Sequence, residues 1–264
     1  MIYYFSGTGN TRLCAEALAK ALDTQCNEFN VSQLRQPHNA RLQTKDPDVI
    51  FMFPVYAWGI PPVVYNILDH AELRFSRNVR VWMVATCGDE VGLTASSFRK
   101  VMKCQGRKVF GTFSVMMPNT YVCMKGFDVD DPDTAQKKID AMPARIAHIA
   151  EVIAAGQPAG NDVVKGHFAW FKSHIIYHLF KHFGIKPKYF GSDEECTSCG
   201  LCRRMCPMEN IVPGVENRPC WGNDCAMCLR CYHICPNHSL IYKNKTLNKG
   251  QKKVYLQTPS DKQS

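Results

Sequence analysis

Nowhere does the 264-residue chain reach roughly 18 consecutive apolar positions without a charge, the length that a membrane-spanning helix requires. No integral membrane segment is therefore expected. A secretory leader is missing too. Met1 runs straight into the strand-like Ile2-Tyr3-Tyr4-Phe5, with no charged, apolar and cleavage-site regions in succession. The expectation is a cytoplasmic protein whose thiols stay reduced. Acidic residues are in deficit, 23 against 32 Lys+Arg, for a formal charge of +9. That excess is not arranged into a nucleic-acid-binding motif, and the C-terminal lysines have no interleaved aromatics beyond Tyr242 and Tyr255. Nucleic acid is not the expected partner. No nucleophile–histidine–acid set can be named either, so no catalytic residue is assigned. With 45% hydrophobic and 21% charged residues, collagen-like, coiled-coil and fully disordered chains are excluded.

What the chain has in quantity is cysteine. Nine of the 14 lie between Cys196 and Cys235. They contain a duplicated C-x-x-C-x-x-C-x-x-x-C-P run: Cys196, Cys199, Cys202, Cys206 and Pro207, then Cys225, Cys228, Cys231, Cys235 and Pro236. Each member stands 29 residues after its counterpart, which marks an internal repeat. Three closely spaced thiolates can surround one cubane, while the fourth, before proline, sits too far along the chain and serves the other cluster. The expected ligands of one [4Fe–4S] cluster are Cys196, Cys199, Cys202 and Cys235. Those of the second are Cys225, Cys228, Cys231 and Cys206. Paired zinc ribbons are the competing reading, but a third cysteine at the same spacing and the repeated Cys-Pro do not fit them. Residues 193–242 thus resemble bacterial two-cluster ferredoxins. Cys220, the extra cysteine, is read as an ordinary buried thiol.

Upstream, apolar runs alternate with amphipathic stretches to about residue 155. Strands are expected at Ile2–Phe5, around Cys26–Val31, and at Val49–Phe53, Val79–Ala85 and Val109–Val115. Helices are expected at Leu13–Leu22, Pro62–Asp69, Thr94–Cys104 and Thr134–Ala155, the last kinked or split by Pro143. Five strands with intervening helices make an α/β, doubly wound parallel sheet, whose ligands bind at the carboxyl ends of the strands.

The first strand opens into Ser6-Gly7-Thr8-Gly9-Asn10-Thr11, followed by a helix. Backbone N–H groups at such a helix start bind anions, and the hydroxyls of Ser6, Thr8 and Thr11 with the amide of Asn10 add neutral donors. No Gly-Lys-Ser/Thr follows, so this is no Walker loop. Arg12 takes the place of a third glycine, so it is no dinucleotide fingerprint. A terminal phosphate monoester fits better. Here the chain resembles a flavodoxin, and the resemblance implies a five-stranded flavodoxin-like domain binding FMN. It extends to two further loops, Pro54-Val55-Tyr56-Ala57-Trp58-Gly59 and Thr86-Cys87-Gly88-Asp89. By that resemblance Tyr56 or Trp58 stacks on the flavin ring, the Trp58–Gly59 peptide faces its N5, and Gly59 tolerates the φ > 0 of a peptide flip. Cys87 stands where some flavodoxins place a tyrosine, leaving one ring face open.

Gly156, Pro158 and Gly160 mark a linker. Between it and the cysteine repeat, Phe168, Phe171, Ile175, Leu179 and Phe183 recur at helical spacing, with Ile176 and Phe180 widening the stripe. The plain reading is an interdomain helix packing that stripe against one or both domains; an anionic membrane surface and a metal site on His174, His178 and His182 are the alternatives. The expected organisation is thus a flavodoxin-like domain at 1–155, a linker with an amphipathic helix at 156–192, a two-cluster, α+β ferredoxin-like domain at 193–242 and a mobile basic tail at 243–264. The whole resembles the flavodoxin–ferredoxin fusion proteins of anaerobic bacteria. That resemblance implies electron transfer between two [4Fe–4S] clusters and FMN, with redox proteins as partners. The alternative is a reductase of a small-molecule electron acceptor, with Asp89 or Tyr56 as proton donor. Cluster and phosphate charges would lower the apparent +9 to roughly +3.

Overall fold

A computed structural model describes residues 1–252 together with Val254 and Tyr255. Lys253 and residues 256–264 of the expected tail lie outside the described residues. Eight strands come from the first 162 residues: Ile2–Tyr4 (β1), Cys26–Glu28 (β2), Arg41–Gln43 (β3), Asp48–Pro54 (β4), Glu72–Arg74 (β5), Arg80–Cys87 (β6), Val109–Met116 (β7) and Gly160–Asp162 (β8). Six form one parallel sheet in the order β2-β1-β4-β6-β7-β8, while β3 and β5 pair separately. The central strands β4 and β6 read as almost continuous apolar runs because helices cover both faces. Successive residues alternate between two cores. Phe51, Phe53, Val81 and Met83 meet the helices Pro62–His70 (α3) and Thr94–Cys104 (α4). Ile50, Met52, Trp82 and Val84 meet Asn10–Ala21 (α1) and Pro132–Ala155 (α5); the short α2 is Val31–Arg35.

The sheet therefore has six strands rather than the expected five. The sixth, β8, comes from the segment expected to be a linker. Polar anchors hold it, which is why hydrophobic periodicity misses it. Thr112 Oγ1 donates to Asn161 Oδ1 at 2.7 Å, Arg99 to the Gly160 carbonyl at 2.6 Å, and Arg145 to the Asp162 carboxylate at 2.7 Å. Pro143 does not split α5, which runs unbroken for 24 residues on a stripe of Met142, Ile146, Ile149 and Ile153. That buried stripe compensates the one backbone bond a proline removes.

The cysteine-rich segment forms an α+β unit. Phe190–Ser192 (β9) pairs antiparallel with Leu240–Tyr242 (β12), and Ile211–Pro213 (β10) with Pro219–Trp221 (β11). Short helices at Leu201–Arg204 and Arg230–Ile234 follow the two cysteine-rich turns. The backbone repeats with the sequence. Ser198, Gly200 and Glu209 have positive φ, and so do Met227, Leu229 and His238, each 29 residues later. Non-glycine residues rarely hold that region, and here the turn geometry imposes it twice.

Two expectations about the connecting segments are corrected. The helical segment 169–184 turns most of its apolar stripe outward: Phe171, Ile175, Leu179 and Phe183 are exposed, while Ile176 and Phe180 at the edge of the stripe are half-buried. Its inner face is instead Ser173, Tyr177 and Phe180, chosen by hydrogen bonds and ring contacts described below. The tail is docked through Tyr255. Gln251 donates to the Tyr232 and Cys235 carbonyls, the Lys252 N–H to His233 Nδ1, and the Tyr255 N–H to the Thr8 carbonyl. Among the described residues no helix is long and apolar enough to cross a membrane.

Candidate functional site

The chain turns sharply from β1 into α1. Gly9 caps the helix at φ 98°, a conformation that favours glycine. Ser6 Oγ accepts from the N–H groups of Gly9 at 3.1 Å and Arg12 at 3.2 Å, closing the loop on itself. Thr11 and Thr86 share a hydroxyl bond at 2.7 Å, and Asn10 Nδ2 donates to the Pro118 carbonyl at 2.8 Å. Those bonds shape the loop; Ser6 Oγ accepts in both of its own and keeps its O–H as a donor. Further donors are the first-turn N–H groups, which an α-helix cannot satisfy internally, whereas the buried Asn10 Oδ1 is an acceptor with no partner among the described residues.

The β4 loop carries the clearest strain. Tyr56 and Gly59 exchange both backbone bonds at 2.9 Å, and the two residues between them, Ala57 and Trp58, have φ of 46° and 62°. Two positive-φ central residues are the geometry of a type I′ turn, ordinarily built from Asn or Gly. In this structure Ala57 and Trp58, not Gly59, carry the positive φ. Gly59 is needed for space, because a Cβ there would lie 2.5 Å from the Tyr177 ring. Trp58 is half-buried, donating through Nε1 to Glu90 at 2.7 Å with the Lys172 ammonium over its ring. Ser173 donates to the Trp58 carbonyl at 2.7 Å and accepts from the Leu93 N–H at 2.8 Å; Tyr177 donates to the Ile60 carbonyl and Lys172 pairs with Glu90.

The β6 loop places Pro54 and Thr86 side by side in the sheet register. Cys87 is buried, and burial pushes its thiol pKa up to about 12. Gly88 packs against the Asn119 side chain, and the Asp89 carboxylate is 75% exposed beside Lys138 and Asn119. Asn119 is held in turn by Asp130, whose oxygens accept from its backbone at 3.0 Å, its side chain at 2.9 Å and Lys138 at 2.8 Å.

The eight repeat cysteines line two cavities, four to each. One is lined by Cys196, Cys199, Cys202 and Cys235, and the other by Cys206, Cys225, Cys228 and Cys231. Electrostatics groups them alike. Burial raises the Cys202 thiol to about 11, with Cys235, Cys199 and Cys196 adding to it. Burial likewise pushes Cys231 well above its ordinary value, helped by Cys228, Cys225 and Cys206. Among the described residues no three His, Cys, Asp or Glu side chains converge closely enough to hold a single metal ion.

The donors around the sulfurs suit a sulfur-rich anionic group. The Asn210 N–H donates to Cys206 Sγ at 3.4 Å and the Met227 N–H to Cys225 Sγ at 3.3 Å. Ser239 Oγ lies 3.2 Å from Cys235 Sγ. The Trp221 indole N–H is buried at the second cavity, has no oxygen or nitrogen partner among the described residues, and favours the Cys231 thiolate. Cys220 is exposed on β11, outside both cavities, which corrects its reading as a buried thiol. Strand alternation points it away from the side that takes Trp221.

The second cavity abuts the β1 loop. A Cβ on Gly7 would lie 2.8 Å from the Cys228 carbonyl oxygen and 3.4 Å from the Tyr56 hydroxyl. That hydroxyl is buried with no hydrogen-bond partner among the described residues. Arg230, two residues after Cys228, inserts beneath the loop. It donates to the Ser6 carbonyl at 2.6 Å, the Gly7 carbonyl at 2.7 Å, Glu28 at 2.9 Å and the Met205 carbonyl at 3.2 Å. Tyr255 backbone covers Gly9 from the other side. Sequence reasoning missed Arg230, Asn119, Asp130, Ser173, Tyr177 and Tyr255. None belongs to a local motif, although Arg230 sits inside the second cysteine run where a buried cation needs a distant partner.

No curated protein matches this chain. Among solved structures, a flavodoxin from Streptococcus pneumoniae TIGR4 is 16% identical over 59% of this chain and 97% of its own, with a TM-score of 0.36. Megasphaera elsdenii flavodoxin is 15% identical over 55% and 98%, with a TM-score of 0.31. Rubredoxin oxygen:oxidoreductase from Desulfovibrio gigas is 15% identical over 58% of this chain and 36% of its own, with a TM-score of 0.33. These likenesses are too low to carry a function across. At the sequence level, residues 1–123 match the flavodoxin domain family.

Proposed function

We propose that this chain is an electron-transfer protein that holds FMN on the β1, β4 and β6 loops and one [4Fe–4S] cluster in each cysteine-lined cavity. The observation that carries this reading is the contact of Cys228, from the inner quartet, with Gly7 of the β1 loop. It brings the two candidate cofactor sites together within one chain. Clusters exchange single electrons and flavin exchanges one or two, so the pair connects one- and two-electron partners. The family match over residues 1–123 supports the flavin half. The duplicated positive-φ turns, the four-by-four sorting of cysteines and the N–H···S bonds support the cluster half.

The chain's own contribution is positioning and exclusion of water. Arg230 pulls the Ser6 and Gly7 carbonyls toward the cysteine unit, which turns the following N–H groups the other way, toward a phosphate. Tyr56 fills the space between the β1 and β4 loops. The outer quartet includes the exposed Cys199, whereas the inner quartet borders the sheet core through Cys206 and Cys228. Electrons from a redox protein partner would therefore enter at the outer quartet. A carrier is favoured over a small-molecule reductase because the Asp89 carboxylate is open to solvent and the Tyr56 hydroxyl is walled in.

Anaerobic reconstitution of the full chain tests the reading. About eight irons and one FMN per chain are expected. Protein that binds no FMN, or retains its fold with far fewer irons, refutes it. A double variant, Cys196→Ser with Cys199→Ser, should lower iron and leave FMN in place.

A further inference from the structure

The segment 169–184 divides into an inner and an outer face. Its turns alternate between α and π, with π stretches at Lys172–Ile176 and Phe180–Gly184. The average is about four residues per turn, so residues four apart stay in line. Two outward rows result. One is Trp170, His174, His178 and His182, with Trp170 stacked on His174 at 4.9 Å and His178 against His182 at 4.4 Å. The other is Phe171, Ile175, Leu179 and Phe183. Phe168 stands before them, 81% exposed, with Trp170 at 63% and Phe183 at 65%. Apolar surface of this kind, contiguous along two rows, marks an interaction site rather than scattered exposure.

Residues 163–192 contain no Asp or Glu, and they contain Lys165, Lys172, Lys181, Lys186 and Lys188. Lys172 is paired with Glu90 and Lys181 lies over the inward Tyr177 ring, whereas Lys186 lies over the outward Phe183 ring with Lys188 close by in sequence. Aromatic and leucine-type side chains on one face with lysines at its end resemble the residue set of helices that lie in the plane of an anionic bilayer interface. A bilayer accepts exposed phenylalanine and tryptophan without a matching pocket, and its anionic headgroups complement the lysines. We propose that the outward face of 169–184 docks on an anionic membrane surface, with the helix lying in the interface. The inner face rests on the Trp58–Ile60 loop, so docking would hold that loop beside the bilayer. The proposal is independent of the cofactor assignment.

The test is flotation of the full chain with phosphatidylcholine vesicles and with vesicles that also contain phosphatidylglycerol. Binding is expected to the anionic vesicles, weakening with salt. The triple variant Phe171→Ser/Leu179→Ser/Phe183→Ser should lose affinity on the order of a hundredfold, since its apolar side chains no longer enter the interface. Lys186→Glu and Lys188→Glu should each cost at least roughly fivefold on anionic vesicles. Far-UV circular dichroism checks the triple variant's fold; if it fails to fold, the lysine variants decide alone. Absence of vesicle binding at low salt overturns the proposal. So does binding that ignores headgroup charge and these substitutions. A wild-type dimer that the triple variant dissolves would assign the face to a second copy of the chain and likewise overturn it.

Discussion

Arg230 gives the sharpest quantitative test of how the two halves of the molecule are joined. Its side chain is only 8% exposed, yet it carries a full charge. Four acceptors compensate it: the Ser6, Gly7 and Met205 carbonyls and the Glu28 carboxylate. Replacing it by methionine keeps most of the volume and removes every bond. Two buried carbonyls in the β1 loop then lose their donor, at about 1–3 kcal/mol for each buried group left unsatisfied. Glu28, which is 28% exposed, recovers part of its hydration. The expected loss of unfolding free energy is about 3–5 kcal/mol, the range for breaking a buried ion pair from one side. Urea unfolding of the full chain measures it, and FMN titration should show weakened binding because the loop's peptides are no longer held. Arg230→Lys should recover only part of the loss, since an ammonium cannot fork across two adjacent carbonyls. Adding Glu28→Gln to the methionine variant should relieve the unpaired carboxylate and restore some stability. A loss below about 1 kcal/mol with unchanged FMN binding would refute the assignment of Arg230 as the link between cysteine unit and phosphate loop.

Other perturbations follow from the same contacts. Gly7→Ala puts a methyl group 2.8 Å from the Cys228 carbonyl oxygen, so it should cost about 1–3 kcal/mol in urea unfolding and loosen the inner cavity. Burial acts to raise the Asp130 pKa, but Lys138 and Asn119 outweigh it and hold it below 3.8. Its stabilisation is therefore fully present above pH 3.8 and lost as the pH falls toward the lowered folded value; Asp130→Asn should flatten that part of an acid-unfolding curve. Cys220→Ser should leave reconstituted iron unchanged, because Cys220 lies outside both cavities, whereas Cys228→Ser should lower it. In metal-free protein, a thiol at about 12 in place of 9, as at Cys225, has roughly a thousandfold less thiolate. Mass-spectrometric mapping of alkylation should find the exposed Cys199 modified well before Cys225.

The parts legible in the sequence are those with local grammar. Continuous apolar runs located β4, β6 and β7, and the Thr94–Cys104 helix matches its expected bounds because its apolar stripe and its ends agree. The missed parts depend on long-range polar contacts. Strand β8 is pinned by Arg99, Asn161 and Arg145, none of which carries a strand pattern. The 169–184 stripe was read inward because apolar periodicity states only that one face differs from the other. Which face turns inward is decided by Ser173 and Tyr177, whose partners lie more than 80 positions away or are reached only through the fold: Trp58 and Ile60. Cys220 shows the same ambiguity at strand scale, since alternation with Trp221 does not say which of the two faces the core.

The family match stops at residue 123, but the loops at the sheet's carboxyl edge do not complete themselves there. A type I′ turn with alanine and tryptophan at its centre costs on the order of 1–3 kcal/mol per strained residue, and such geometry persists only when its surroundings determine it. Here the Trp58 carbonyl is held by Ser173, Gly59 leaves room for the Tyr177 ring, and the Trp58 indole is fixed by Glu90 with Lys172 above it. The β1 loop is likewise clamped from outside, by Arg230 beneath, by the Cys228 backbone against Gly7 and by Tyr255 over Gly9. Every one of those clamps except Glu90 comes from beyond residue 123. The segment 1–123 therefore supplies the loops with their internal bonds, and the C-terminal half clamps them from outside. The cysteine unit touches the β1 loop through Arg230 and Cys228, and the outward helix touches the β4 loop through Lys172, Ser173, Tyr177 and Phe180. The β1 loop is thus clamped from the side of the cysteine cavities and the β4 loop chiefly from the helix that bears the exposed apolar face, with Tyr56 lying where the two loops meet.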